Sequence, residues 1–136
     1  MFLHIKDVLT PEEITFFRQA LGPQAPWIEG ARSAGGQAIH QKNNLQLAQG
    51  SELSAQLQTM VKAALHRNAL FFSAALPRRI YNPLFNNYGD GANFYGNHVD
   101  SAVMHSKADN CWVRSDLSCT LFLTPPEDYD GGELVI

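Results

Sequence analysis

Apolar positions change their period twice along the chain. Ile14, Phe17 and Leu21 recur at helical spacing. Thr10 stands before them as a cap, Pro11 suits the first helical position, and Glu13 completes a Thr-x-x-Glu capping box. Gly22-Pro23 supplies the stop, so the pattern predicts a helix over 11–21. A second predicted helix opens at Ser51 and carries Leu53, Leu57, Met60, Val61, Ala64 and Leu65 on one stripe. It ends at Arg67-Asn68, and packing on a sheet is the plain meaning of such a stripe. Between the helices, Pro23, Pro26, Gly35-Gly36 and Asn43-Asn44 divide residues 23–50 into turns and short extended pieces. Trp27-Ile28 and Leu45-x-Leu47 are the strand or core contacts expected there.

Beyond Pro77 the period shortens toward that of strands. Arg79-Ile80-Tyr81 and Leu84-Phe85 lead into Asn86-Asn87-Tyr88, a glycine-rich connection follows over 89–93, and Phe94 to Asp100 reads as extended. Residues 101–113 are polar and read as loop. Leu117, Cys119, Leu121 and Leu123 alternate with Ser118, Thr120 and Phe122, the period of a strand with one buried face. Pro125-Pro126 stops it, Asp130-Gly131-Gly132 turns the chain, and Glu133–Ile136 begins another strand. Helices followed by antiparallel-looking strands predict α+β, or a β-sandwich with helical cladding. The change of character divides the chain into a helical cladding region, 1–76, and a strand-rich region, 77–136.

Composition narrows the function classes. At 136 residues the chain suits one domain, and 45% apolar residues with a net charge of −3 exclude intrinsic disorder. The absence of a basic excess argues against a nucleic-acid partner. No apolar run is long enough to span a membrane, and MFLHIKDVLTPEE meets Lys6 and Asp7 before any apolar stretch, which argues against a secretory signal. Two cysteines, Cys111 and Cys119, make no disulfide framework, so a reducing cytoplasm is the expected compartment. Cys119 sits within the apolar alternation and is expected to be a buried, inert thiol. Cys111, beside Trp112, has no base near it in sequence.

The residues with chemistry are His98-Val99-Asp100. In an extended segment, side chains two apart share a face, with Cα atoms about 6.6 Å apart. A neutral imidazole nitrogen and a hard carboxylate oxygen can therefore converge on one ion. With one more histidine they would form the two-His-one-carboxylate facial triad that suits Fe(II) and leaves positions open. Taken alone, the triplet reads as a surface histidine paired with a neighbouring carboxylate, and it needs context to mean more.

Context comes from four separated stretches in order. Tyr88-Gly89-Asp90-Gly91-Ala92-Asn93-Phe94-Tyr95-Gly96-Asn97-His98-Val99-Asp100 resembles the Tyr-x-x-Gly…Tyr-x-x-His-x-Asp signature of prolyl-hydroxylase-like Fe(II)/2-oxoglutarate dioxygenases. Arg114 to Leu123, followed by Tyr129-Asp130-Gly131-Gly132-Glu133-Leu134, is similar to that family's next strand and Gly-Gly-Glu turn. Upstream, Ser33-Ala34-Gly35-Gly36-Gln37 and Lys42-Asn43-Asn44-Leu45-Gln46-Leu47 resemble the bacterial branch called PKHD-type hydroxylases.

The resemblance implies N-terminal helices packed on a double-stranded β-helix (jelly roll), with His98 and Asp100 as two of three iron ligands. It implies Fe(II), 2-oxoglutarate as co-substrate, O2, and L-ascorbate to keep the iron reduced. A small-molecule or peptidyl substrate would be hydroxylated by oxidative decarboxylation of 2-oxoglutarate and ferryl hydrogen abstraction. Neither nucleic acid nor membrane is an expected partner, and oligomerisation is left open. Tyr88 matches a position that reaches the 2-oxoglutarate carboxylate in some relatives; its plainer reading is a buried strand tyrosine with a bonded hydroxyl. Where many relatives have another such tyrosine, this chain has Phe122, which cannot donate to a carboxylate.

The family's third ligand, a histidine, and the arginine that clamps 2-oxoglutarate lie further along than Ile136. On that count the jelly roll is expected to be incomplete at the C-terminal end. His105 does not match the third-ligand position and is read as a solvated loop residue, as are His4, His40 and His66 in their own regions. Arg114 opens the next strand and is assigned a surface role, not the clamp. Three functions follow: a dioxygenase; a catalytically incompetent fragment of one, not expected to couple 2-oxoglutarate decarboxylation to hydroxylation by itself; and a non-enzymatic binding module on the same scaffold.

Overall fold

The computed structural model describes residues 2–30, 42–89, 91, 93–96, 98–106 and 110–132. Helix α1, Pro11–Ala20, begins at the anticipated cap. The Glu13 amide donates to Thr10 Oγ1 at 3.2 Å, and the Thr10 amide donates back to Glu13 Oε2 at 2.9 Å. This reciprocal pair satisfies amides that the first helical turn leaves open. The Glu13 carboxylate also pairs with Arg67, which donates through Nη1 at 2.7 Å and through Nη2. Arg67 Nη2 further donates to the Val8 carbonyl at 3.2 Å. One arginine therefore ties the start of α1 to the end of α2, Glu52–Arg67.

Helix α2 is capped by Ser51, whose hydroxyl accepts from the Ser54 amide at 3.1 Å. Its predicted stripe is the buried face: Leu57, Val61, Ala64 and Leu65 are buried, with Leu53 and Met60 packed against them. Asn68 ends α2 and caps a third helix, α3, Ala69–Ala75, by accepting from the Phe71 amide at 2.8 Å. The sequence reading stopped at Asn68 because the apolar residues after it form no stripe, and none of the residues of α3 is buried.

The strands are short and antiparallel. Strand β1, Trp27–Glu29, pairs with β3, Leu45–Leu47, and β3 pairs with β4, Asn86–Asn87. Strand β2, Lys42–Asn43, pairs instead with β5, Phe94–Tyr95, in the register Lys42↔Tyr95 and Asn43↔Phe94. The segment 42–47 thus changes partners at Asn44. On β3 the alternation is strict. Leu47 joins Phe17, Leu57 and Phe85 in the core, where the Phe17 and Phe85 rings meet at a tilt of 34° with centroids 6.1 Å apart. The other face carries Gln46, and both Gln46 Nε2 and Asn44 Nδ2 donate to Asn86 Oδ1, at 3.0 and 3.1 Å. The core cluster draws Ile80, Phe85, Leu121 and Leu123 onto the helices, so it takes residues from both sides of position 76.

Three expectations are corrected. Residues 101–113 are not simply loop: β6, Val103–Ser106, and β7, Cys111–Arg114, form an antiparallel hairpin. Buried Ser106 and Val113 lie beside exposed Val103 and Trp112, so polarity does not follow burial in this hairpin and concealed the strands. Conversely, the alternating segment 117–123 forms no ladder among the described residues. Leu121 and Leu123 reach the core, but Leu117 is 67% exposed. Alternation fixes which faces differ, and a strand also needs a paired neighbour. Cys119 is exposed rather than buried, although desolvation still pushes its thiol pKa up and keeps it a poor nucleophile. The strand-like stretches 79–81 and 84–85 likewise lie outside the ladders, except that the Phe85 carbonyl accepts from the Leu47 amide at 2.9 Å. The turn at Gly131-Gly132 is present, both residues having φ near +79° and +78°, a region costly for a side chain. The expected strand at 133–136, the Gly35-Gly36 turn and the Ser33–Gln37 motif lie outside the described residues.

The described residues include no helix long and apolar enough to cross a membrane.

Candidate metal-binding site

His98 and Asp100 follow β5 in a stretch with no ladder of its own. His98 Nε2 stands 3.4 Å from Asp100 Oδ1. That gap exceeds the 2.7–2.9 Å of a charge-assisted hydrogen bond. It is closer to the separation of two donors at neighbouring positions on one octahedral ion, about 3.0 Å for bonds of about 2.1 Å. His98 Nδ1 lies 2.7 Å from the Gly96 carbonyl. A proton on Nδ1 donated to that carbonyl leaves the Nε2 lone pair turned toward Asp100, the second contact that metal-ligating histidines habitually make. The two side chains are 29% and 57% exposed, so the space between them is open to a ligand.

Tyr95 of β5 lies against this pair. The Tyr95 ring stacks on the His98 imidazole with centroids 3.7 Å apart and planes 19° from parallel. Lys42, directly across the ladder from Tyr95, holds its ammonium 5.0 Å from the Tyr95 ring centroid. Burial lowers the Lys42 pKa. Tyr95's phenol pKa is raised first by desolvation and then by the Asp100 carboxylate nearby. Tyr88 is 47% exposed. Its phenol pKa is raised mainly by desolvation, with Tyr95 adding, while a hydrogen bond with the Asn44 amide partly offsets them. Both phenols therefore keep their protons at neutral pH and can donate hydrogen bonds. Asn44 Oδ1 and Gln46 Oε1 are buried and carry no hydrogen bond among the described residues.

The residues marked from sequence are thus brought together in part. His98 and Asp100 converge as the His-x-Asp spacing predicts, whereas no contact joins Tyr88 to them among the described residues, and its hydroxyl engages Asn44. No third donor joins the pair: among the described residues no group of three or more His, Cys, Asp and Glu side chains is placed to hold a metal ion. His105 is not a solvated loop residue. It lies on β6, half-buried, paired across the hairpin with Trp112 at 4.9 Å, and its carbonyl accepts from the Tyr81 hydroxyl at 3.3 Å. His66 is on the exposed side of α2 with Nδ1 2.7 Å from the Lys62 carbonyl, His4 is exposed, and His40 lies outside the described residues. Arg114 ends β7 on the surface and pairs with Asp116 at 2.9 Å. Arg79 Nη1 donates to Cys111 Sγ at 2.7 Å, a contact that sequence gave no sign of.

Sequence reasoning placed Lys42 and Tyr95 within resembling motifs but assigned neither a role. Residues three apart on a regular strand point to opposite faces, so the contact between Tyr95 and His98 fits the end of the ladder at Tyr95.

Fold and site define a mixed α+β protein with antiparallel sheets that presents a His-x-Asp pair beside a stacked tyrosine. No family model matches the chain, but individual relatives do, over its entire length. A protein named PKHD-type hydroxylase from Variovorax paradoxus (strain S110) is 53% identical over 136 residues, which are 100% of this chain and 59% of the relative. A PKHD-type hydroxylase from Aliarcobacter butzleri (strain RM4018) is 48% identical over the same span, again 59% of its length. The PKHD-type hydroxylase YbiX of Escherichia coli (strain 55989 / EAEC) is 49% identical, with 59% covered. The resemblance read from the motifs is therefore borne out at about half identity, and the chain spans about three fifths of the length of these relatives.

Proposed function

We propose that this chain carries the two-ligand part of the iron site of a 2-oxoglutarate-dependent hydroxylase built on a double-stranded β-helix. The observation that supports the reading is the His98–Asp100 geometry: two donors 3.4 Å apart, with Nδ1 of the histidine engaged by a backbone carbonyl. The PKHD-type hydroxylase name shared by the relatives supports the reaction class. His98 Nε2 and an Asp100 oxygen would hold the ion, leaving other positions for exchangeable ligands. When bound, Fe(II) with 2-oxoglutarate and O2 supplies the oxidising power for hydroxylation, and ascorbate keeps the metal reduced.

The chain's own residues bind and orient. Asp100 contributes charge to offset that of the cation. His98 contributes a neutral nitrogen whose tautomer the Gly96 carbonyl selects. Tyr88, protonated at neutral pH, is the donor assigned to a carboxylate oxygen of 2-oxoglutarate. The substrate is a small molecule or a peptidyl residue.

Titration with Co(II), followed by its visible absorption, tests the metal assignment. Wild-type chain is expected to develop bands that His98→Ala and Asp100→Ala abolish. Bands unchanged in both variants would remove the basis for a hydroxylase and leave a binding module without a metal. For Tyr88, Tyr88→Phe is expected to weaken 2-oxoglutarate binding to the Co(II)-loaded chain about tenfold, the loss of one hydrogen bond to a charged group, with Co(II) affinity unchanged. Isothermal calorimetry separates the two.

A further inference from the structure

Metal ligands are held by what lies behind them as much as by their own backbone, and His98 is well placed to illustrate this. It sits in a segment without ladder hydrogen bonds, and Val99 beside it is 95% exposed, so neither sheet pairing nor core packing fixes the imidazole. Two contacts do. The Gly96 carbonyl engages Nδ1, and the Tyr95 ring lies against the imidazole at 3.7 Å with planes 19° apart.

Tyr95 belongs to the ladder. Its β5 position pairs with Lys42 on β2, and the Lys42 ammonium lies 5.0 Å from the ring centroid, within the range of a cation–π contact. The β2–β5 pairing and the ammonium hold the tyrosine, and the tyrosine ring in turn limits rotation of the histidine about its Cβ–Cγ bond.

We propose that Tyr95 is a positioning residue for His98, its ring setting the imidazole plane so that Nε2 faces Asp100 before any metal arrives, with Lys42 anchoring that ring from the neighbouring strand. The inference rests on the metal-site reading above. It assigns a role to the aromatic face of Tyr95 and none to its hydroxyl, which makes the aromatic ring the quantity to test.

In the full 136-residue chain, Co(II) affinity is read by visible titration for Tyr95→Leu, Tyr95→Phe and Lys42→Met. Tyr95→Leu is expected to bind about tenfold more weakly, the usual effect of removing an outer contact from a ligating histidine. Tyr95→Phe, which keeps the ring, is expected to bind as wild type does. Lys42→Met is expected to fall between them, at roughly a two- to fivefold loss. Wild-type affinity in Tyr95→Leu overturns the proposal, and so does a loss in Tyr95→Phe equal to that in Tyr95→Leu.

A second measurement needs neither metal nor a variant. In the metal-free wild-type chain, the His98 ring protons are expected upfield of those of His4 and His66, displaced by the Tyr95 ring current. Their absence from that position overturns the stack even if Tyr95→Leu fails to fold. Because this arm is independent of the ion, it also separates the two hypotheses. Co(II) binding indifferent to His98→Ala and Asp100→Ala defeats the metal-site reading, whereas Co(II) binding that needs His98 yet ignores the Tyr95 ring defeats this one alone.

Discussion

Glu13 carries three jobs with one carboxylate: it closes the capping box with Thr10, lies in the acidic first turn of α1, and pairs with Arg67 at the far end of α2. Its pKa is lowered first by the Arg67 hydrogen bond and next by the Thr10 amide. A depressed carboxylate contributes stability above the unfolded glutamate value of about 4.3 and loses it as pH falls through the folded value. Glu13→Gln is therefore expected to lower the melting temperature at pH 7, with the difference from wild type shrinking below about pH 4. Thr10→Ala, which removes the cap, is expected to cost about 1 kcal/mol with much weaker dependence on pH. Thermal melts followed by circular dichroism at pH 3 to 7 check both. Thr10, Glu13 and Pro11 were legible in the sequence because a capping box is a local contact. Arg67 was not, since 54 residues separate it from Glu13.

At the scale of elements, the segment 42–47 organises both sheets by changing partners at Asn44. Gly30 marks the tight side of that change. Its amide donates to the Asn44 carbonyl at 2.8 Å, and a Cβ built on it would stand 1.8 Å from Asn44 Oδ1 and 3.0 Å from the Asn44 carbonyl oxygen. Asn44 is buried and bonded to Asn86, so it has little room to yield. Gly30→Ala is expected to destabilise the fold by roughly 1–3 kcal/mol, the usual cost of overpacking, measured by urea denaturation. The helices were readable because their caps and 3.6-residue stripes are set by near neighbours in sequence. The short strands were readable only where an apolar residue met the core, as at Trp27 and Leu47. The hairpin of β6 and β7 hid behind Met104, His105 and Ser106. The segment 117–123 showed a strand's alternation without a strand's hydrogen bonds.

For the whole molecule, alkaline pH sums contributions of opposite sign. Tyr88 and Tyr95 have raised pKa values in the folded state, so their contribution is complete below the unfolded phenol value of about 10 and is lost as pH rises through the folded values. Lys42 is shifted down by burial, so its charged form opposes folding, and stability recovers as pH rises from its folded value toward about 10.4. The Lys42 recovery is complete near pH 10.4, while the raised phenols go on losing stability through their folded values, so stability is predicted to fall above about pH 10.4. Tyr88→Phe is expected to flatten that fall, and urea midpoints between pH 8 and 11 provide the measurement. Tyr95 stacks on His98 and Lys42 lies over Tyr95, so the alkaline limb reports on that support as well as on the fold.

By itself the sequence determined the two amphipathic helices, the α+β class, the similarity to PKHD-type hydroxylases and the shared face of His98 and Asp100. Each follows from contacts within a few residues or from the order of short motifs. Only the tertiary structure decided what supports that pair. Lys42 reaches Tyr95 through a ladder between strands far apart in sequence, and Tyr95 reaches His98 just past the end of its strand. Side-chain period describes a chain that stays extended. It carries no information about where the backbone bends or which distant strand becomes a neighbour, because those are fixed by the total of burial and hydrogen bonding over the folded chain.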